Sequence, residues 1–183
     1  MSERLPFRVQ QIEGNDHTFG LYGERATEIL TLAYREISDY GVKPINLIYC
    51  DFLLRNARIF LLFLEELLIG YTSYYWSAFS RMETQEMKAL SLSKERWDEM
   101  QRQTVETGWT VIHPNFQHKG GWSMMMDARD DLLICSDFSF LCQYVRTAND
   151  YADKVAARYK GKVIFQRDTR GYGQQVYFRI RIP

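Results

Sequence analysis

The segment 111–126, VIHPNFQHKGGWSMMM, constrains this chain more than any other stretch. It reads as a buried strand stopped by a proline, a glycine-containing turn, and the first turn of a helix. Such a corner aims several backbone N–H groups at one spot and adds the positive end of a helix dipole. It is a site for a phosphate or pyrophosphate. The fold class that supplies a strand, a turn and a helix in this order is α/β.

Composition narrows the rest. A length of 183 residues favours one domain, expected over 1–183. Hydrophobic residues at 46% and aromatics at 15% exclude a disordered chain. Basic and acidic residues balance at 23 each, so there is no global pull toward nucleic acid or an anionic membrane. The N-terminus lacks the apolar stretch of a signal peptide. The most apolar region, Ile59 to Tyr71, is broken by Glu65 and Glu66 and is too short to span a bilayer. Cys50, Cys135 and Cys142 sit among apolar neighbours, as buried, reduced thiols of a cytoplasmic protein would. His17, His113 and His118 have no ligand spacing to them, so no metal is expected.

The pattern predicts alternating elements. Arg8 to Ile12 forms a short strand, and Gly14-Asn15-Asp16 a turn. Ala26, Ile29, Leu30, Ala33, Ile37 and Tyr40 give a helix over 24–40, with Gly41 and Pro44 as its stop. A second helix covers 45–55. Residues 57–64 and 68–77 read as antiparallel strands buried on both faces, with Glu65-Glu66 at the turn. Residues 81–103 are polar and mixed in charge: an exposed helical insertion, with Ser93 as an N-cap. Val105 to Ile112 is one strand. The next helix, 120–133, carries Met125, Ala128 and Leu132 on one face. Strand 138–147 and a helix capped by Asn149 or Asp150 follow. Two strands, 162–166 and 174–182, flank the turn at 170–173. In the last, Val176, Phe178, Ile180 and Ile182 point inward and Tyr177, Arg179 and Arg181 outward.

This order, with a phosphate-type turn after the fourth strand, resembles the GNAT acetyltransferase superfamily. Ile112, His113, Pro114, Gln117 and Gly120 match that family's turn in register. Gly121 falls at a variable position, and Trp122 falls where the family has Gly or Ala. Asn149 and Ala152 match a second signature, in the helix after the fifth strand. Its tyrosine position holds Ala156, with Tyr159 nearly a turn later, and Gly161 comes one residue late. Gly70, opening the third strand, is a third cue.

The resemblance implies a mixed, mostly antiparallel central sheet of about seven strands, flanked by helices and splayed between strands 4 and 5. It implies an N-acyltransferase that passes an acetyl group from acetyl-CoA, as co-substrate, to an amine on a small molecule or protein. Val111 and Ile112 would bond the thioester and pantetheine. The N–H groups of Gln117, His118, Lys119, Gly120, Gly121, Trp122 and Ser123 would hold the pyrophosphate, and Asn149 would face the pantetheine arm. Glu106 is the candidate general base, with His113 a second choice. Tyr159 is the candidate acid, with Tyr144 behind it. The indole of Trp122 either points into the core or fills the cradle. The second case leads to an alternative: a catalytically inactive GNAT-like binding or structural protein, phage-encoded and virion-associated. Tyr74, Tyr75, Trp76 and Trp97 would then form a patch for a protein partner. Nucleic-acid contact through Arg167, Arg170, Arg179 and Arg181 is the weakest reading, and homodimerisation stays open.

Overall fold

The computed structural model describes residues 5–37, 44–76, 83–146, 151–169 and 175–182. The elements run β1 (Phe7–Glu13), α1 (Asp16–Ile37), α2 (Pro44–Asn56), β2 (Arg58–Leu64), β3 (Leu67–Trp76), α3 (Glu83–Ala89), α4 (Lys94–Arg102), β4 (Thr104–Thr107), β5 (Val111–Ile112), a 3-10 turn (Pro114–Phe116), α5 (Gly121–Ile134), β6 (Phe140–Arg146), α6 (Tyr151–Arg158), β7 (Val163–Thr169) and β8 (Gln175–Arg181). They fall into two compact units: residues 1–75 with 108–132, and residues 76–107 with 133–183. No described helix is long and apolar enough to cross a membrane. The described residues contain no group of three or more His, Cys, Asp or Glu able to hold a metal.

In the first unit β1 pairs antiparallel with β2, β2 with β3, and β3 with β5. The run of apolar residues in β2 follows from burial on both faces. Ile59, Leu61 and Phe63 enter a cluster with Ala26, Ile29 and Leu30 of α1 and Leu53 and Leu54 of α2. Leu62 points the other way, into a cluster with Phe7, Ile69, Ile112, Met125 and Met126. A period of two puts alternate residues on opposite faces, so a strand between two helical layers has no solvent side. Glu65 takes the tight turn with φ 54°.

Helix α1 starts earlier than its apolar stripe predicts. The Asn15 side chain accepts the Thr18 N–H at 2.8 Å, an N-cap that starts the helix at Asp16. Gly20 and Gly23 weaken the helical signal of this first part. Gly23 has a packing reason, since a Cβ there would meet the Phe19 ring at 2.9 Å. The predicted stop at Gly41 lies outside the described residues, and Pro44 opens α2 instead of trailing α1.

In the second unit β4 pairs parallel with β6, β6 antiparallel with β8, and β8 antiparallel with β7. The predicted strand 105–112 is therefore two strands with different partners: β4 lies beside β6, and β5 beside β3. The change of partner falls at Gly108-Trp109-Thr110 and brings the strands among the described residues to eight. Glycine is required there because a Cβ at position 108 would lie 2.1 Å from Ser73 Oγ and 2.9 Å from Leu53.

The insertion is not simply a solvated face. Ser93 caps α4, accepting the Arg96 N–H, while Trp97, Met100 and Gln101 are buried. In α3, Glu86 is fully buried against β8. It accepts from Arg179 Nε at 2.8 Å and Arg179 Nη2 at 2.9 Å, and from the Tyr177 hydroxyl at 3.0 Å. Arg179 also reaches Thr104 Oγ1 at 2.6 Å and Gln101 Oε1 at 3.1 Å. The outward placement of Tyr177 and Arg179 is thus corrected: all of 176–180 is buried. A helix covers the face expected to meet water. Burial alone would push the Arg179 guanidinium toward its neutral form, but its bonds to Glu86 hold it charged and raise its pKa. Arg179 is therefore unavailable to nucleic acid.

Two smaller expectations also change. Of the aromatic residues named for a partner patch, Tyr74 and Trp97 are buried, Tyr75 is half-buried and Trp76 is 55% exposed. Cys135 is exposed, whereas Cys50 and Cys142 are buried.

Candidate functional site

The corner at 111–126 lies in the first unit. β5 is held in register by Gly70↔Ile112 and Tyr71↔Val111. A side chain at position 70 would meet the Val111 carbonyl oxygen at 2.8 Å, so glycine allows this close pairing. The chain leaves the sheet at His113, whose N–H still bonds the Ile69 carbonyl at 2.8 Å. Pro114 then starts the 3-10 turn, in which a missing N–H costs nothing. His113 Nδ1 accepts the Asn115 N–H at 3.3 Å and the His113 ring lies 5.5 Å from Phe116. That nitrogen caps the turn.

Gln117 ties the two ends of the corner. Its Nε2 donates to the Ile112 carbonyl at 3.1 Å, and its backbone N–H to the Pro114 carbonyl at 3.2 Å. The backbone next takes left-handed conformations at His118 (φ 59°) and Gly120 (φ 92°), separated by Lys119. His118, Lys119 and Gly120 are exposed. The Lys119 ammonium lies 5.7 Å from the Phe116 ring centre, which keeps it beside the loop. The first bond within α5 runs from the Met124 N–H to the Gly120 carbonyl at 3.2 Å. The N–H groups of Gly121, Trp122 and Ser123 precede it and point along the positive end of the helix.

Two residues decide how this helix end sits. Gly121 is buried, and a Cβ there would meet Leu62 at 2.5 Å and Phe7 at 3.5 Å. Trp122 packs its indole against the cluster of Phe7, Leu62, Ile69, Ile112, Met125 and Met126. Of the two placements open to it, the indole takes the core one. The buried face of α5 runs through Gly121, Met125, Met126, Arg129 and Leu133, so it is rotated from the stripe read off Met125, Ala128 and Leu132. Arg129 disguises that stripe. It is fully buried and donates to Asp130 Oδ1 at 2.8 Å and 3.1 Å.

Gly121→Ala is expected to destabilise by about 1–3 kcal/mol, because the added methyl would overpack against the fully buried Leu62 side chain. Trp122→Ala is expected to cost about 3 kcal/mol by emptying the indole's place on the cluster. Urea denaturation of the two variants measures both. A Trp122→Ala loss within experimental error would mean that the indole is not packed there.

No family model matches the sequence, and no curated protein matches it. Solved structures do. An N-acyl amino acid synthase from uncultured soil microbes, FeeM, superposes with a TM-score of 0.66 at 13% identity, covering 97% of this chain and 91% of its own. An N-acetyltransferase from Staphylococcus aureus Mu50 gives 0.61 at 13% identity, covering 96% and 99%. The chain has the GNAT acetyltransferase fold. A third structure with this fold, yncA from Salmonella typhimurium with its cofactor acetyl-CoA, gives 0.55 at 14% identity, covering 96% and 94%.

Relative to that fold, the structure gathers Val111, Ile112 and Gln117 through Ser123 into one corner of the first unit. Glu106 and Tyr159 belong to the second unit. Asn149 lies outside the described residues. Glu106 is half-buried on β4, opposite Cys142 of β6. Burial pushes the Cys142 thiol well up, and the nearby Glu106 carboxylate adds to the rise. Both effects disfavour the thiolate at Cys142. Tyr159 directly follows α6: it is buried, its N–H bonds the Val155 carbonyl at 3.0 Å, and its ring lies 5.7 Å from the Arg158 guanidinium. Gly161, one residue late for the family pattern, has φ 77° and turns the chain off that helix. Sequence reasoning missed Gly108 and Trp109. A glycine in the middle of an apolar strand was the available signal for the change of partner.

Proposed function

We propose that this protein is an N-acyltransferase that uses acetyl-CoA as co-substrate and acetylates an amine directly. The observation that carries the reading is the packing of Trp122. The one residue that departs most from the family's phosphate turn lays its indole on the core cluster. A large side chain at this position is therefore compatible with an open helix end. On this reading the diphosphate lies against the N–H groups from Gln117 to Ser123, with Lys119 and His118 adding charge. The β5 backbone at Val111 and Ile112 holds the pantetheine and thioester. Gln117 supports the site by fixing the Ile112 carbonyl and the start of the loop.

The reaction needs an amine stripped of its proton and placed against the thioester carbonyl. Glu106 is the proposed base, acting directly or through water, and Tyr159 the proposed acid for the departing thiolate. The acceptor is an amine on a small molecule or protein.

Acetyl-CoA and CoA should both raise the melting temperature. At a concentration ~100 times the dissociation constant the added stability is roughly 2.7 kcal/mol. Pantetheine, which lacks the diphosphate, should raise it less. Calorimetry silent toward every CoA derivative would overturn the proposal.

A further inference from the structure

The second unit keeps an ion pair that stability alone does not explain. Glu86 of α3 and Arg179 of β8 are both fully buried. Taking two charges out of water costs about as much as their attraction returns, and apolar residues of similar volume often hold a fold as well or better. What the guanidinium reaches gives the pair a further use. Beyond Glu86 it donates to Gln101 Oε1 at 3.1 Å and to Thr104 Oγ1 at 2.6 Å.

The bond to Thr104 crosses a strand. β6 lies between β8 and β4, with Arg179 opposite Cys142 and Cys142 opposite Glu106. One side chain of β8 therefore reaches over β6 and ties down β4. Thr104 is fully buried, and its hydroxyl is committed twice: Oγ1 accepts from Arg179 and donates to the Met100 carbonyl of α4 at 2.7 Å. Two residues on, Glu106 stands on the same face of the strand. β4 is only four residues long, and its pairing with β6 is parallel and covers Thr104 to Glu106. Parallel ladders are slightly weaker per residue, so side-chain ties matter most on so short a strand.

We propose that Glu86 and Arg179 are positioning residues for the reaction: Glu86 orients the guanidinium, the guanidinium holds Thr104, and Thr104 fixes the strand that carries Glu106. The kinetic part rests on the reading of Glu106 as the base. The bracing of β4 does not. On this account the insertion supplies a brace, since α3 brings in the carboxylate that aims Arg179 and α4 the carbonyl that takes the Thr104 proton. A reacting group misplaced by about 1 Å can lose on the order of 10²-fold in rate, so a modest loosening of β4 has a kinetic cost.

The test uses the whole protein and leaves the ion pair in place. Thr104→Val keeps the shape of the side chain and removes its hydroxyl, whereas Thr104→Ser keeps the hydroxyl. Acetyl transfer from acetyl-CoA is measured with phenethylamine, spermidine and a short peptide with a free N-terminal amine, and amide hydrogen exchange is followed by NMR. Thr104→Val should lower kcat about tenfold and leave KM and the CoA melting shift unchanged. It should also speed exchange of the β4 amides roughly tenfold more than that of Tyr177 and Phe178 in β8. Thr104→Ser should match the wild type in both respects. Wild-type kcat in Thr104→Val, a slow Thr104→Ser, or β4 and β8 amides that speed up together each overturn the proposal. If β4 loosens selectively while the wild type acetylates none of the three amines, the brace stands and the acyltransferase reading falls instead.

Discussion

Arg179→Met should lower the free energy of unfolding by about 3–5 kcal/mol, among the largest losses available to one substitution in this chain. The size follows from what is left behind. Glu86 and Arg179 are both fully buried, and Glu86 would keep its carboxylate in the interior beside the Tyr177 hydroxyl but without the charge that balances it. Thr104 and Gln101 would lose their shared donor as well. Domains are stable by about 5–15 kcal/mol, so the variant should be marginal at 25 °C. A double variant, Glu86→Met with Arg179→Met, should regain part of the loss, since it leaves no charge unpaired. Urea denaturation of wild type, single and double variants measures the cycle. If the single variant loses less than about 1 kcal/mol, the guanidinium is not sealed from water as the geometry has it.

The ion pair marks where local pattern reading stops. β8 alternates apolar and polar residues cleanly, and period-two logic sends Tyr177 and Arg179 to solvent. What reverses this lies far away in sequence. Glu86, on a helix that reads as charged and exposed, returns to cover that face. A buried ion pair looks in sequence like two surface residues, and only tertiary contact tells them apart. Arg129 misled for the same reason within α5, where a charge on the core face broke the apolar stripe. By contrast, β2, β3 and the corner at 111–123 were legible because their signals are local: a long apolar run, a turn at two glutamates, and a proline followed by glycines. The break at Gly108 was visible as a residue but not as a change of partner, which depends on Ser73 and Leu53 packing against it. Trp122 could not be placed from its neighbours in sequence, since the first turn of a helix has positions facing either way. Leu62 and Phe7, which take up the adjoining Gly121, are brought there by β2 and β1.

Glu106→Gln should reduce kcat for amine acetylation by about 10²–10⁴-fold if the carboxylate is the base. β4 places the side chain on the face shared with Thr104, opposite Cys142 of β6, which in turn pairs with Arg179 of β8. That surrounding is rigid, because Arg179 grips Thr104 two residues before Glu106. Glu106 is itself half-buried and not sealed within the sheet. The isosteric amide keeps this packing and removes only the ability to take a proton. Three readouts separate a base from a strand-end carboxylate. The melting shift produced by CoA should be unchanged, because the diphosphate contacts are untouched. The fall should lie in kcat more than in KM. The rate of the wild type should decline at low pH as the carboxylate protonates, and that limb should vanish in the variant. A variant that keeps wild-type kcat and its acid limb would remove Glu106 from the chemistry and leave deprotonation of the amine to solvent.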